Sequence, residues 1–358
     1  MSIDKTTLEN ALLNVKSDNA EVRKKEMELW KHKVDTNYTD LQERQKQMSI
    51  LKTIDLDGMS ANKVQEAKTE TRKYLEHAKN AKVYINNDFK GKIPYFGHNV
   101  ILVGGRSGTG KSTISANLAY LELLQGGYPL ILTNEEVTGD IYNRITCLFK
   151  GWTYTEHDSF TKDQLDTFDD MMDKLSSRMT VIDNNYTKEY GQTTTLEGIQ
   201  SILESLATCN RKYTTIIIDY YTNVNVSLNN PGMENWKVQE KLANYLDQFK
   251  SRYLAPIVVL AQLKEGKDLP FKEALEGRKS IYNIATCAIE LKAEREELRT
   301  AWTIHKSRFT QAIGQTIYTG FDRGKYVPYT SEFKNQIELK KQREEQQSLL
   351  KNMFNKKV

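Results

Sequence analysis

The stretch Gly105-Arg106-Ser107-Gly108-Thr109-Gly110-Lys111-Ser112 has the residue types and spacing of a phosphate cradle, G-x-x-x-x-G-K-S. Its glycines permit a tight loop whose backbone N–H groups turn inward towards phosphate oxygens. Lys111 then places a mobile ammonium at the β- and γ-phosphates. The Ser112 hydroxyl can take one position on a Mg²⁺ that bridges them. Thr113 leads into ISANLAYLELL, which reads as a helix whose positive N-terminal end faces the same anion. The run Val100-Ile101-Leu102-Val103 before the loop is of strand type, so the context is strand, loop, helix. Residues 105–113 are therefore candidate nucleotide-phosphate ligands.

Phosphoryl chemistry needs further groups, and the ends of other apolar runs supply candidates. Thr214-Thr215-Ile216-Ile217-Ile218 reads as a buried strand, and Asp219 at its end can hold a magnesium water shell. The strand Tyr128 to Thr133 ends in Asn134-Glu135-Glu136, where one glutamate can orient or deprotonate an attacking water. The same carboxylates could instead favour the start of the following helix. Ile257 to Ala261 ends at Gln262, a neutral amide able to touch a γ-phosphate and report nucleotide state to the loop behind it. Lys306 and Arg308, one residue apart near the end of an extended stretch, point to the same side. They can pair with surface acids or reach a neighbouring subunit's nucleotide as an arginine finger.

Positioning such groups requires strands that end together. Beyond the four strands already named, Met179 to Ile182, Cys287 to Lys292 and Trp302 to Lys306 read as strands. Ser112 to Gln125, Thr138 to Gly151, Thr195 to Thr208 and Asn235 to Tyr253 read as the helices between them. This alternation implies an α/β fold with a mostly parallel twisted sheet covered on both faces. Ligands gather at the carboxyl ends of such strands, where the glycine loop lies.

Residues 1–90 have a different character. From Thr6 to about Lys82 there is no proline and no long apolar run, and the composition is rich in Lys, Glu, Gln and Leu. Helices are expected over Glu9 to Thr36, Leu41 to Lys52 and Ser60 to Lys79, with Asn87 to His98 as the junction to the α/β region. The expected division is a helical N-terminal region and linker over 1–90, the α/β domain over 91–330, and a charged helical tail over 331–358. That tail is either a solvated helix or a partner-docking peptide built on Leu349, Leu350, Met353 and Phe354.

Composition sets outer bounds. Hydrophobic residues make up 39% and charged residues 27% of 358 residues, and the net charge of +4 is too small to argue for a nucleic-acid partner by itself. No apolar stretch approaches the roughly 18 residues of a membrane span, so a soluble cytoplasmic protein is expected. Cys147, Cys209 and Cys287 lack metal-ligand spacing and read as buried thiols.

Taken together these segments resemble the RecA-like motor core of the DnaB-type replicative hexameric helicases, including those carried by phages. GRSGTGKS matches that family's phosphate loop, and TNEEVTGDIYNR resembles its segment of strand, catalytic glutamate and downstream arginine. The alignment puts Glu135, rather than Glu136, on the catalytic glutamate and Arg144 on the helix arginine. IIIDYYTNV resembles the I-D-Y-L-Q stretch with Asp219 and Tyr220 in register, PIVVLAQLKEGK the strand ending in a sensor glutamine, and IHKSRF the K-x-R finger strand. The resemblance spans about Asn99 to Pro328. Tyr221-Thr222-Asn223 departs from the usual leucine–glutamine, and the N-terminal region does not look like the family's helical hairpin or a primase.

What the resemblance implies is a P-loop NTPase that burns ATP with Mg²⁺ between the subunits of a homo-oligomeric ring, a hexamer in the family, and translocates on single-stranded DNA. Lys111, Ser112, Asp219, Glu135, Gln262, Lys306 and Arg308 would carry the chemistry. The DNA loops would follow Asp219 and Gln262. The first, Asn223 to Trp236, is short of cations, whereas the second holds Lys264, Lys267, Lys272, Arg278 and Lys279, enough to neutralise several phosphates. The helix from Ser60 to Lys82 would be an arm on the adjacent subunit, and a primase, loader or other replisome protein would be a partner. A strand-exchange recombinase and a helicase loader that does not unwind are the alternatives on the same motifs.

Overall fold

The computed structural model describes residues 28, 66–69, 71–73, 76, 85, 87–95, 97–153, 160–184, 193–208, 213–266, 269–277 and 279–355. The chain forms two compact units, residues 1–73 and 74–358. In the first, residues 28, 66–69 and 71–73 are helical and exposed. The helices expected over Glu9 to Thr36 and Leu41 to Lys52, and most of Ser60 to Lys79, otherwise lie outside the described residues.

The second unit is built on a nine-stranded sheet, ordered β3-β2-β4-β5-β1-β6-β7-β8-β9. The strands are β1 (Val100–Gly105), β2 (Pro129–Thr133), β3 (Thr180–Ile182), β4 (Thr215–Asp219), β5 (Ile257–Gln262), β6 (Cys287–Glu294), β7 (Arg299–Ser307), β8 (Thr316–Asp322) and β9 (Lys325–Pro328). From β3 to β6 all pairings are parallel, and from β6 to β9 all are antiparallel. The parallel strands are nearly continuous runs of Val, Ile and Leu because both of their faces are covered.

Alternate residues of those runs enter two separate cores. Ile101, Val103, Ile131, Ile217 and Val258 pack under α1 (Lys111–Leu124) and α2 (Thr138–Lys150). Val100, Leu102, Leu130, Ile216, Ile218 and Val259 pack under α4 (Leu196–Thr208) and α5 (Asn235–Arg252). At about 1.5–3 kcal/mol for each fully buried aliphatic side chain, a one-residue slip of a central strand would exchange its two faces and forfeit most of that gain. The register is thereby pinned, and it places Gly105 opposite Gln262 and Thr133 opposite Asp219.

Several elements were not anticipated from the sequence. β8 and β9 lie at the sheet's antiparallel edge, where exposure alternates and Thr, Tyr and Gly replace the apolar run. The helix α3 (Lys162–Ser176) buries only Leu175, although it opens with a capping box in which Thr161 and Gln164 bond each other's backbone. Two short helices, α6 (Phe271–Ala274) and α7 (Ser280–Ile284), interrupt the loop behind β5. The tail forms α8 (Ser331–Asn355), and its first turn packs on the sheet, since a Cβ on Gly320 would meet the Phe333 ring at 2.1 Å. Among the described residues no helix is long and apolar enough to cross a membrane. Cys147 and Cys287 are buried, and Cys209 lies outside the described residues.

Candidate functional site

The glycine loop joins the end of β1 to the start of α1. Gly110 caps α1 in the left-handed region at φ 93°, which an L side chain adopts only with strain. A Cβ there would also lie 2.8 Å from the Tyr326 hydroxyl. Within the loop, Thr109 Oγ1 donates to Arg106 O at 2.8 Å and tightens the turn. Lys111, only 8% exposed, donates through Nζ to Gly105 O at 3.2 Å, Arg106 O at 3.1 Å and Gln262 Oε1 at 2.5 Å. Burial holds its ammonium below the usual lysine range, against the opposing pull of Glu135, Asp219, Glu265 and Glu276. The Ser107 N–H of the same loop donates to Glu265 Oε1 at 2.8 Å.

Asp219 ends β4 at 1% exposure. Its Oδ2 accepts a hydrogen bond from Ser115 Oγ at 2.7 Å, while its buried Oδ1 has no hydrogen-bond partner among the described residues. Burial pushes this carboxyl up to about 6; the Ser115 bond and Lys111 oppose the rise, and Glu136 and Glu135 add to it. Ser115 was missed by the sequence reading. Its spacing of four residues from Lys111 puts both on one face of α1, which is the signal that could have found it. Ser112 and Thr113 lie in the first turn of that helix, half-buried.

The two glutamates behind β2 have different fates. Glu136 is half-buried and bonded to Arg144 at 2.7 Å. Burial raises its carboxyl, and Arg144 opposes that rise. Glu135 is exposed, and its charge acts on Lys111, Asp219 and Tyr220. The neighbouring ends of β1, β2, β4 and β5 thus bring Lys111, Glu135, Asp219 and Gln262 to one corner.

Behind Gln262 the loop folds back on itself. Gln262 O accepts from Glu276 N at 3.0 Å, and Lys264 N donates to Ala274 O at 2.8 Å. Lys264, Lys272 and Lys279 are exposed on this loop, whereas Lys267 and Arg278 lie outside the described residues. The other loop, behind Asp219, is anchored by a residue the sequence reading missed. Glu197 accepts from Ser227 Oγ at 2.6 Å, Leu228 N at 2.7 Å and Asn229 N at 3.3 Å. Burial works against that carboxylate, yet these bonds hold it below its usual range. Leu228 and Trp236 stay exposed.

Lys306 and Arg308 do point to one side. Lys306 Nζ donates to Tyr282 O at 2.6 Å and Asn283 O at 2.9 Å, and Arg308 Nη2 donates to Asn283 O at 2.9 Å. Burial, followed by repulsion from Arg308, Lys272 and Lys250, lowers the Lys306 ammonium to about 8. The pair is not brought to the cradle of its own chain. Arg308 N bonds Thr286 O and Thr286 N bonds Val100 O, at the start of β1, whereas the cradle follows Gly105 at the end of that strand.

Beside the cradle lies a trough of about 730 Å³ that the sequence reading did not foresee. Gly108 and Thr113 form one wall, and Arg295, Arg323, Tyr326 and Phe333 form the others. These come from the β6–β7 turn, the β8–β9 hairpin and α8, so the tail helix is part of the wall.

No protein-family model matches the chain, and no curated protein sequence matches it. Among solved structures, the ATPase domain of a helicase superposes with a TM-score of 0.57 at 14% identity, covering 76% of this chain and 100% of that one. A DnaB-like replicative helicase, described with its interactions with primase, superposes with a TM-score of 0.55 at 13% identity, covering 87% of this chain and 80% of that one. At such identities the likeness is one of fold, and the chain is built on the same RecA-like α/β plan as these two helicase structures.

Proposed function

We propose that this chain is an ATP-driven DNA helicase motor that hydrolyses ATP at the interfaces of a ring and translocates on single-stranded DNA. The observation that carries the reading is the convergence of Lys111, Glu135, Asp219 and Gln262 on one corner beside a glycine loop. In this reading the loop amides and Lys111 bind the phosphates, and the trough takes the nucleoside. Ser112 and Asp219 would hold Mg²⁺, which when bound offsets charge on the phosphates. The fit is supported by the buried Oδ1 of Asp219, which has no partner among the described residues. Glu135 accepts a proton from the attacking water, because Glu136 is engaged by Arg144.

Placement of Lys306 and Arg308 at the far end of β1 supports action in trans, on the nucleotide of an adjacent subunit. Six residues of strand separate them from their own cradle, roughly 17 Å of extended chain. Lys264, Lys272 and Lys279, with Lys267 and Arg278, would hold DNA through its backbone, which suits a motor indifferent to sequence.

Forked-duplex unwinding tests the proposal, with wild type set against Lys111→Ala and Glu135→Gln. Wild type should open the fork in an ATP-dependent way, and both variants should not. ATP turnover without fork opening at any protein concentration would sink the helicase reading and favour a loader.

A further inference from the structure

Glu135 hangs from the end of β2, and the residue before it makes contacts that no neighbouring strand end repeats in the corner described. The β2–β4 ladder closes at the pair Thr133 and Asp219. Beyond that pair both chains leave the sheet, so strand pairing no longer sets their separation. Asn134 takes over that task. Its backbone N–H donates to Asp219 O at 2.9 Å. Its side-chain Nδ2 donates to Tyr220 O at 2.9 Å, and its Oδ1 accepts from Tyr220 N at 3.1 Å.

A primary amide is suited to this because it donates and accepts side by side, as a peptide group does, and carries no charge. Aspartate could only accept, and leucine could do neither. Asn134 is also held from its other side, since its carbonyl accepts from Asn184 Nδ2 at 3.2 Å, and Asn184 Oδ1 in turn takes the Thr193 hydroxyl at 2.5 Å. The side chain therefore acts as one further rung between β2 and β4, placed next to the glutamate rather than within the core.

We propose that Asn134 is a positioning residue for hydrolysis: its two-point bond to the Tyr220 backbone sets where the Glu135 carboxylate stands relative to the Asp219 corner. The inference rests on Glu135 being the group that activates water. A misplacement of about 1 Å can cost about a hundredfold in rate with little effect on ground-state binding.

The test uses the full chain with single-stranded DNA and compares Asn134→Leu, Asn134→Asp, Glu135→Gln and the Asn134→Leu/Glu135→Gln double variant. Single-turnover ATP hydrolysis and the Kd of a fluorescent ADP analogue are read for each. Asn134→Leu keeps the volume and loses both bonds. It should lower the hydrolysis rate about 10- to 100-fold with Kd within about twofold of wild type, and should cost nothing further in the Glu135→Gln background. A rate within threefold of wild type, a parallel loss of nucleotide binding, or the same fold loss repeated in the double variant would each overturn the proposal. Should Asn134→Leu fail to fold, Asn134→Asp, which keeps the acceptor for Tyr220 N–H, decides by the same split of rate against Kd. Wild-type hydrolysis by Glu135→Gln would instead remove the assignment of the base, an outcome separate from any result at Asn134.

Discussion

The Lys111 ammonium donates to Gln262 Oε1 at 2.5 Å, so the lysine of the phosphate loop and the amide at the end of β5 form one hydrogen-bonded pair. Gln262 also accepts, through its carbonyl, the N–H of Glu276 at the far side of the cationic loop. A phosphate drawn to Lys111 must share or take that ammonium, and the amide it releases belongs to the strand end from which the loop departs.

Gln262→Ala should therefore separate fuel from track. ATP turnover without DNA is expected to fall less than about tenfold, whereas its stimulation by single-stranded DNA should disappear, as read by titrating oligonucleotide into a steady-state ATPase assay. Retained stimulation would place the coupling elsewhere.

Glu265 offers a second handle on the same loop. Its carboxylate accepts from the Ser107 N–H, a donor of the phosphate loop, so carboxylate and phosphate compete for one amide. Glu265→Ala should tighten nucleotide binding about three- to tenfold, the worth of one such hydrogen bond. Equilibrium titration with a fluorescent nucleotide measures this, and unchanged affinity would show that the two anions do not meet.

The raised carboxyl of Asp219 predicts a pH-dependent stability. A native-state value of about 6 against an ordinary 3.8 means that the folded form holds its proton where the unfolded form has lost it. The term is absent below about pH 4, grows as pH rises through that window, and above about pH 6 costs on the order of 3 kcal/mol of stability without metal. Asp219→Asn should thus raise the melting temperature at pH 8 in EDTA by at least about 2 °C while abolishing ATP hydrolysis. Magnesium with nucleotide should narrow the gap by stabilising wild type alone, and a variant that melts below wild type in EDTA would contradict this linkage.

For the cation pair, subunit mixing is decisive. Arg308→Ala and Lys111→Ala should each lose turnover by about a hundredfold or more, yet mixtures should regain part of it. In such rings an intact cradle lies beside an intact Arg308. ATPase assays across mixing ratios read the recovery, and its absence at every ratio would count against action across the interface.

How much of this was legible in the sequence follows from how local each signal is. The glycine loop, Asp219 and Gln262 each stand at the boundary of a short apolar run and a polar residue, a pattern contained within a few neighbours. The tail was legible as a helix, but not as a wall of the trough, because Phe333 finds Gly320 through packing rather than through periodicity. β8 and β9 escaped notice because an edge strand needs only one buried face, and short alternation with threonine and tyrosine resembles loop.

By itself the sequence determined that strands alternate with helices, that a phosphate loop follows the first of those strands, and that carboxylates and an amide end three others. Local sterics and hydrophobic patterning suffice for that. Only the tertiary structure decided which ends meet. Ser115 reaches Asp219 across 104 residues and Glu265 reaches Ser107 across 158, contacts set by sheet order and register. Burying both faces of β1, β2, β4 and β5 fixes that register, and with it the corner where these side chains stand.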